Sequence, residues 1–198
     1  MSEHRTASIV RTTKETDIRC TLDLDGTGVV DVETGVPFFD HMLDAFGRHG
    51  LFDLTVRAQG DVDVDAHHTV EDTGIVLGQA FSTALGDKRG ITRFGSLALP
   101  MDEALVLAAV DVSGRGQLHW AVDVPPVMLG TFDASLAKEF FIAFAANAGI
   151  TLHVRSLAGE NAHHLVEASF KAAARALRQA VEPDQRIGDA LPSTKGAL

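Results

Sequence analysis

Apolar residues first recur with a period of two. Ile18, Cys20, Leu22 and Leu24 alternate with Arg19, Thr21 and Asp23, the pattern of a strand with one buried face. The turn residues of DLDGTG (23–28) close it. After Pro37 the spacing becomes helical over FFDHMLDAF, and FDLTVRA (52–58) returns to a strand. Two longer stretches each carry a helical stripe: Val70, Leu77, Phe81 and Ala84 in one, Val166, Phe170, Ala173, Ala174, Leu177 and Val181 in the other. Asp65 and Asn161 stand at the same offset before these stretches. Both residue types cap helix N-termini, so each helix is expected to begin just after them. From Asp189 onward DALPSTKGAL has no apolar period and is expected to be a tail.

The same elements occur twice, in the same order. His67 and His163 are 96 positions apart, as are Glu71 and Glu167. DLDGTG is answered 88 positions on by DVSGRG (111–116), and Glu15 by Glu103 at that same offset. FDLTVR (52–57) is answered by ITLHVR (150–155). Such ordered matches indicate an internal duplication with small insertions. The predicted fold is α+β, in two similar halves of strands and helices, 1–92 and 93–188, followed by the tail 189–198.

Composition narrows the classes of function. A chain of 198 residues that is 45% hydrophobic can bury a core. A net charge of -10 with no basic run argues against nucleic acid as a partner. No apolar run reaches the length of a membrane span, and MSEHRTASIVRTTKE (1–15) holds no apolar stretch of the signal-peptide kind. Cys20 is alone, so no intramolecular disulfide can form and a reducing, cytoplasmic setting is expected.

The chemistry-bearing motif is AHHTVE (66–71), repeated as AHHLVE (162–167). On a helix, residues four apart share a face, while neighbours diverge by about 100°. His67 and Glu71 therefore point one way and His68 another, so one ion cannot easily take all three. A single such motif at a helix start is ordinarily solvated polarity; two at matched positions point to metal. His67 with Glu71 can hold one ion and His163 with Glu167 a second, with His68 and His164 each reaching to the other half's ion. Imidazole and carboxylate without thiolate favour a six-coordinate ion such as manganese over tetrahedral zinc. His41, behind an apolar run, is expected to point inward. His4 is expected in a frayed terminus, and His49, His119 and His153 read as ordinary surface or strand residues.

TKET (13–16), LDGTG, GVPFFDHML, HGLFDL, AHHTVED, GITRFG, MDEAL, DVSGRG, GITLHVR, GENAHHLVEASFKA, ARALRQA and PSTKGAL together resemble the imidazoleglycerol-phosphate dehydratase family of histidine biosynthesis, over essentially the whole chain. The resemblance implies a hydro-lyase that removes water from imidazole glycerol phosphate to give imidazole acetol phosphate. It implies two manganese ions per active site, and halves that are each a four-stranded sheet backed by helices, as in the second domain of ribosomal protein S5. It also implies a homo-oligomer of 24 subunits whose sites draw ligands from neighbouring chains. Carried onto matching positions, one ion takes His41, His68, His163 and Glu167. The other takes His67, Glu71, His164 and position 139, where many relatives have histidine and this chain has Glu139. Glu15, in TKET, matches a substrate-contacting glutamate and is the candidate for proton transfer, with Glu71 and Glu167 the other carboxylates placed in catalysis. His41 and His67 are placed at the substrate too. Arg93, Arg115, Lys171, Ser193 and Lys195 are implied at its phosphate.

Two rival readings are weaker. DLDGT (23–27) also matches the nucleophile motif of haloacid-dehalogenase-type phosphatases, with Asp23 attacking phosphorus and Asp25 as acid/base. That motif follows a buried strand of a parallel sheet, whereas this strand alternates. A metal-storage cage of the ferritin kind needs long helices in a four-helix bundle, which strands throughout and 18 glycines oppose.

Overall fold

The alternating segment becomes β2 (Thr16–Asp23), flanked by β1 (Thr6–Thr12) and β4 (Asp53–Gly60), with β3 (Val30–Glu33) at the far edge. These elements belong to a computed structural model that describes residues 4–198; residues 1–3, part of the stretch read for a signal peptide, lie outside the described residues. Helix α1 (Pro37–Gly50) joins β3 to β4, and α2 (His67–Leu85) follows β4. The second half repeats this with β5 (Phe94–Met101), β6 (Ala104–Asp111), β7 (Gln117–Ala121), α3 (Leu136–Ala148), β10 (Thr151–Ala158) and α4 (Ala162–Val181). A small hairpin, β8 (Met128–Leu129) with β9 (Phe132–Asp133), is inserted before α3.

The sheet orders, β1-β2-β4-β3 and β5-β6-β10-β7, are the same order in the two copies. In each, only the last pair is parallel. The protein is thus α+β, two four-stranded sheets backed by helices. Because β2 is antiparallel to both neighbours, it does not offer the phosphatase arrangement. Asp23 and Asp25 are instead paired with His4 (2.6 Å) and Arg5 (2.6 Å). His4 is thereby held to the end of β2 rather than frayed.

One face of each sheet lies on helices: α2 covers β1 and β2, α4 covers β5 and β6, and the helices pair as α2 with α3 and α1 with α4. The predicted stripes of α2 and α4 are all buried. Phe140 stacks with Phe144 and with Phe170 between the helices. Each such buried ring contributes about 1.5–3 kcal/mol of transfer free energy. Where α2 meets α3 there is no room for side chains: a Cβ on Gly74 would lie 2.7 Å from the Phe140 carbonyl, and one on Gly78 would lie 2.6 Å from that of Phe144.

The outer sheet faces differ. The first presents Asp17, Arg19, Thr21, Thr55, Arg57 and Asp31, and the second Ala98, Leu105, Leu107, Ala109 and Arg155. On the second, the directly paired His119 and His153 stack with ring centroids 4.2 Å apart. Burial, with His119 and Arg155 close by, pushes the His153 pKa down.

Two local expectations shift. Asn161 caps α4 as predicted, accepting the His163 N–H at 2.9 Å and the His164 N–H at 3.4 Å. Asp65 is not the cap of α2. Ala66 takes that position with φ -87 and ψ 1, so the helix starts one residue later. The Asp65 carboxylate still accepts the His67 N–H at 2.8 Å. The tail has no helix or strand, but it is fastened: Gly90 N–H bonds the Ala190 carbonyl at 3.0 Å, Arg89 that of Asp189 at 2.9 Å, and Arg93 that of Pro192 at 2.7 Å.

Candidate active site

His163 and Glu167 lie one turn apart in α4, with Nε2 and Oε2 separated by 3.0 Å. The pairing of α1 with α4 delivers His41 to the same carboxylate oxygen, at 3.3 Å. Among the described residues these form the one group of three donors whose ligand atoms all lie within 4.8 Å of one another. Phe38 backs His163 edge-on at 5.0 Å between centroids. The Glu167 side chain is only 7% exposed, and its Oε1 accepts from Lys171 Nζ at 2.6 Å. Burial pushes the Glu167 carboxyl up, but Lys171, His163 and His41 outweigh it and hold the pKa below the ordinary value. Lys171, expected at the phosphate, pairs in this structure with a carboxylate expected to hold metal.

The copy in α2 is more open. His67 Nε2 and Glu71 Oε2 are 3.4 Å apart, and both side chains are more than two-fifths exposed. Here the counterpart of His41 is Glu139, 98 positions on, the offset that relates β4 to β10. Glu139 lies in the first turn of α3, half-buried. The counterpart of Lys171 is Ile75, so Glu71 has no cation one turn below it. The repeat offset was a signal for Glu139 independent of any family likeness.

His68 and His164 point away from their own helices' carboxylates, as helical spacing predicted. His68 Nδ1 lies 3.0 Å from Asp61 and 4.0 Å from Glu15; His164 Nδ1 lies 2.7 Å from Glu103. Within one chain, neither joins the other half's ligands. The β8–β9 hairpin lies between the two sets: Met128 and Thr131 border both a recess of about 560 Å³ containing His67 and one of about 620 Å³ containing His41 and His163.

The arginines form a separate cluster. Arg93 pairs with Asp111 at 2.8 Å, and Arg115 reaches the same carboxylate at 3.7 Å. The tail runs from Arg93, which bonds Pro192, to Gly114, which Leu198 approaches, and Ser193 and Lys195 lie on the stretch between these contacts. The Arg93 N–H bonds the Ala180 carbonyl near the end of α4, whereas His163 opens that helix. At 1.5 Å per residue the two ends are about 25 Å apart.

The family model for imidazoleglycerol-phosphate dehydratase matches residues 34–177. The chain belongs to that family. It is 64% identical to the imidazoleglycerol-phosphate dehydratase of Acidiphilium cryptum over 194 residues, 98% of this chain and 99% of the relative. Identity to the Roseobacter denitrificans enzyme of the same name is 62%, covering 98% of this chain and 100% of the relative. The crystal structure of imidazoleglycerol-phosphate dehydratase from Staphylococcus aureus superposes with a TM-score of 0.82 at 37% identity, covering 90% of this chain and 99% of that one. The Pyrococcus furiosus structure, a complex with (S)-C348, gives 0.82 at 38%, covering 96% and 100%.

For a member of the imidazoleglycerol-phosphate dehydratase family, one chain brings together His41, His163 and Glu167, then His67 and Glu71, and then Arg93, Arg115 and the tail with Ser193 and Lys195. It does not bring these three groups to each other. Asp61, Glu103 and Asp111 anchor candidate site residues from turns and strand ends; the sequence marks Glu103 and Asp111 only as repeat positions and Asp61 not at all.

Proposed function

We infer that the chain dehydrates imidazole glycerol phosphate to imidazole acetol phosphate, as the names of its relatives indicate. We further infer that it uses two manganese ions per site, in a cytoplasmic assembly of 24 subunits. One observation carries the assembled site: the arginine cluster and the His41–His163–Glu167 set sit at opposite ends of α4, about 25 Å apart by helical rise, too far for one small substrate to touch both. A second chain supplies the missing part.

The donors fit a divalent ion. Two imidazole nitrogens and one carboxylate oxygen already converge, without a thiolate, and the carboxylate is held charged. His41, His163 and Glu167 would hold one ion with a neighbour's His68; His67, Glu71 and Glu139 would hold the other with a neighbour's His164. Ions held there would supply Lewis acidity at the imidazole ring, in place of the carbonyl this substrate lacks next to the proton it loses. Glu15 carries the side-chain proton: its carboxylate is 55% exposed and 4.0 Å from His68, beyond hydrogen-bond range, so both oxygens can face substrate. Arg93 and Arg115 offer planar forks to the phosphate oxygens, and Ser193 and Lys195 close over them from the tail.

Incubating the purified chain with imidazole glycerol phosphate and Mn2+ tests this reading. Imidazole acetol phosphate is expected to form, and to stop forming on chelation. A Mn2+-loaded protein that leaves the substrate unchanged overturns it. Uptake of many ions per chain, rather than about two, would favour storage instead.

A further inference from the structure

The five histidines of the site fall into two orientations. His67 and His163 direct Nε2 at the glutamate one turn on in their own helix, and His41 directs Nε2 from α1 at Glu167 of α4. His68 and His164 instead bind a carboxylate through Nδ1: Asp61 at 3.0 Å for one, Glu103 at 2.7 Å for the other. An ionised carboxylate only accepts, so in both rings Nδ1 carries a proton, which leaves Nε2 as the nitrogen that can offer a lone pair to an ion. Near His164 Nε2 stands the exposed Asp102 carboxylate, 3.7 Å away.

Glu103 is itself fixed. It stands in the β5–β6 turn and accepts the Asn161 N–H at 3.0 Å and the Glu160 N–H at 3.5 Å, which ties that turn to the start of α4. Its duplicate Glu15 stands in the β1–β2 turn but leaves the ring to Asp61, the residue after β4. The residue after β10 is Gly159, with φ +123, and a Cβ there would lie 2.9 Å from Ala104 and 2.8 Å from Leu165. No aspartate fits in the second half, so the orienting carboxylate comes from the turn. The first half has room for Asp61, and its turn glutamate is spared.

We propose that Asp61 and Glu103 are the positioning residues of His68 and His164, holding each Nδ1–H so that Nε2 faces the ion, and that Asp61 thereby frees Glu15 for the substrate. This rests on the two-ion reading above. It divides one ancestral duty between the halves: Glu103 orients a ligand, while Glu15, at the same place in the repeat, handles chemistry.

The test is Mn2+ affinity of the full chain by chelator competition, with folding checked by circular dichroism. Asp61→Ala and Glu103→Ala are expected to weaken Mn2+ binding about 10- to 100-fold, the range for lost partners of ligating histidines. Glu103→Gln keeps one acceptor oxygen, where Glu103 uses Oε2 for Nδ1 and Oε1 for the two backbone N–H groups, so it should recover only part of the affinity. Glu15→Gln should change it less than about twofold while turnover falls. Added to His164→Ala, Glu103→Ala should cost nothing further, because the ring it orients is gone. Additive losses in that pair would mean that Glu103 only braces the helix start, and would overturn the proposal. So would a Glu15→Gln affinity as poor as that of Asp61→Ala, or single variants that bind as the wild type does. A wild-type chain that takes up no Mn2+ refutes the metal reading itself, a separate outcome.

Discussion

Glu71 and Glu167 occupy one position in two copies of one motif, yet one side chain is 46% exposed and the other 7%. The difference lies in what the other helices bring. Glu167 receives His41 from α1 and Lys171 from the next turn of α4. Glu71 has Ile75 in place of the lysine, and the α3 residue matching His41 is a second carboxylate, Glu139. The first set is balanced by Lys171, whereas the second has two carboxylates, Glu71 and Glu139, and no lysine. Duplication therefore produced one buried, charge-balanced set and one open set with an excess of carboxylate.

Removing the carboxylates tests that contrast most severely. Glu71→Ala and Glu167→Ala should both abolish turnover. Only Glu167→Ala should also destabilise the metal-free chain, by about 3 kcal/mol, because it strands the partly buried Lys171; thermal melts of chelated protein would show it. Equal melting of the two variants would erase the distinction. Next in size, Glu15→Gln should lower kcat about 10²- to 10⁴-fold with metal content unchanged, since the residue transfers a proton and holds no ion. Chelation should also break the assembled particle into smaller oligomers, with Mn2+ restoring it, because ligands from two chains make binding energy into assembly energy. Light scattering before and after verified metal removal reads this directly.

Smaller effects separate the halves further. A chain stopped after Ala190 should keep its fold and metal and lose at least about tenfold in kcat/KM, near 1.4 kcal/mol, through the lost contacts of Ser193 and Lys195. The smallest effect concerns the outer sheet faces. The folded pKa of His153 lies below its ordinary value, so the stability it contributes is complete above about pH 6.5 and is lost as pH falls below that. Its counterpart in the first sheet is Thr55. His153→Thr should therefore flatten the acid side of the melting-temperature profile of chelated protein, and Thr55→Ala should not.

Much of this was legible in the chain. The period of two at Ile18–Leu24, the stripes of α2 and α4 and the Asn161 cap are local patterns, and local patterns survive folding. The repeat then implied the second half from the first. The Lys171–Glu167 pair was also readable, as charges four apart on a helix. What stayed hidden depends on distant segments meeting. Asp61 and Glu103 act across turns, with no spacing rule to connect them to His68 and His164. The docking of the tail uses the backbone carbonyls of Asp189, Ala190 and Pro192, which every sequence possesses.

The hairpin between the two ligand sets gives each chain two independent ways to fail. A variant lacking the α2 set still presents a sound α4 set to its neighbour, and a variant lacking the α4 set does the reverse. On the two-chain site proposed above, two dead proteins mixed through dissociation and reassembly should regain activity, because about a quarter of the sites would draw both sound sets. In a cell carrying both alleles, neither mutation would be fully recessive or fully lethal: each would rescue the other within a single particle.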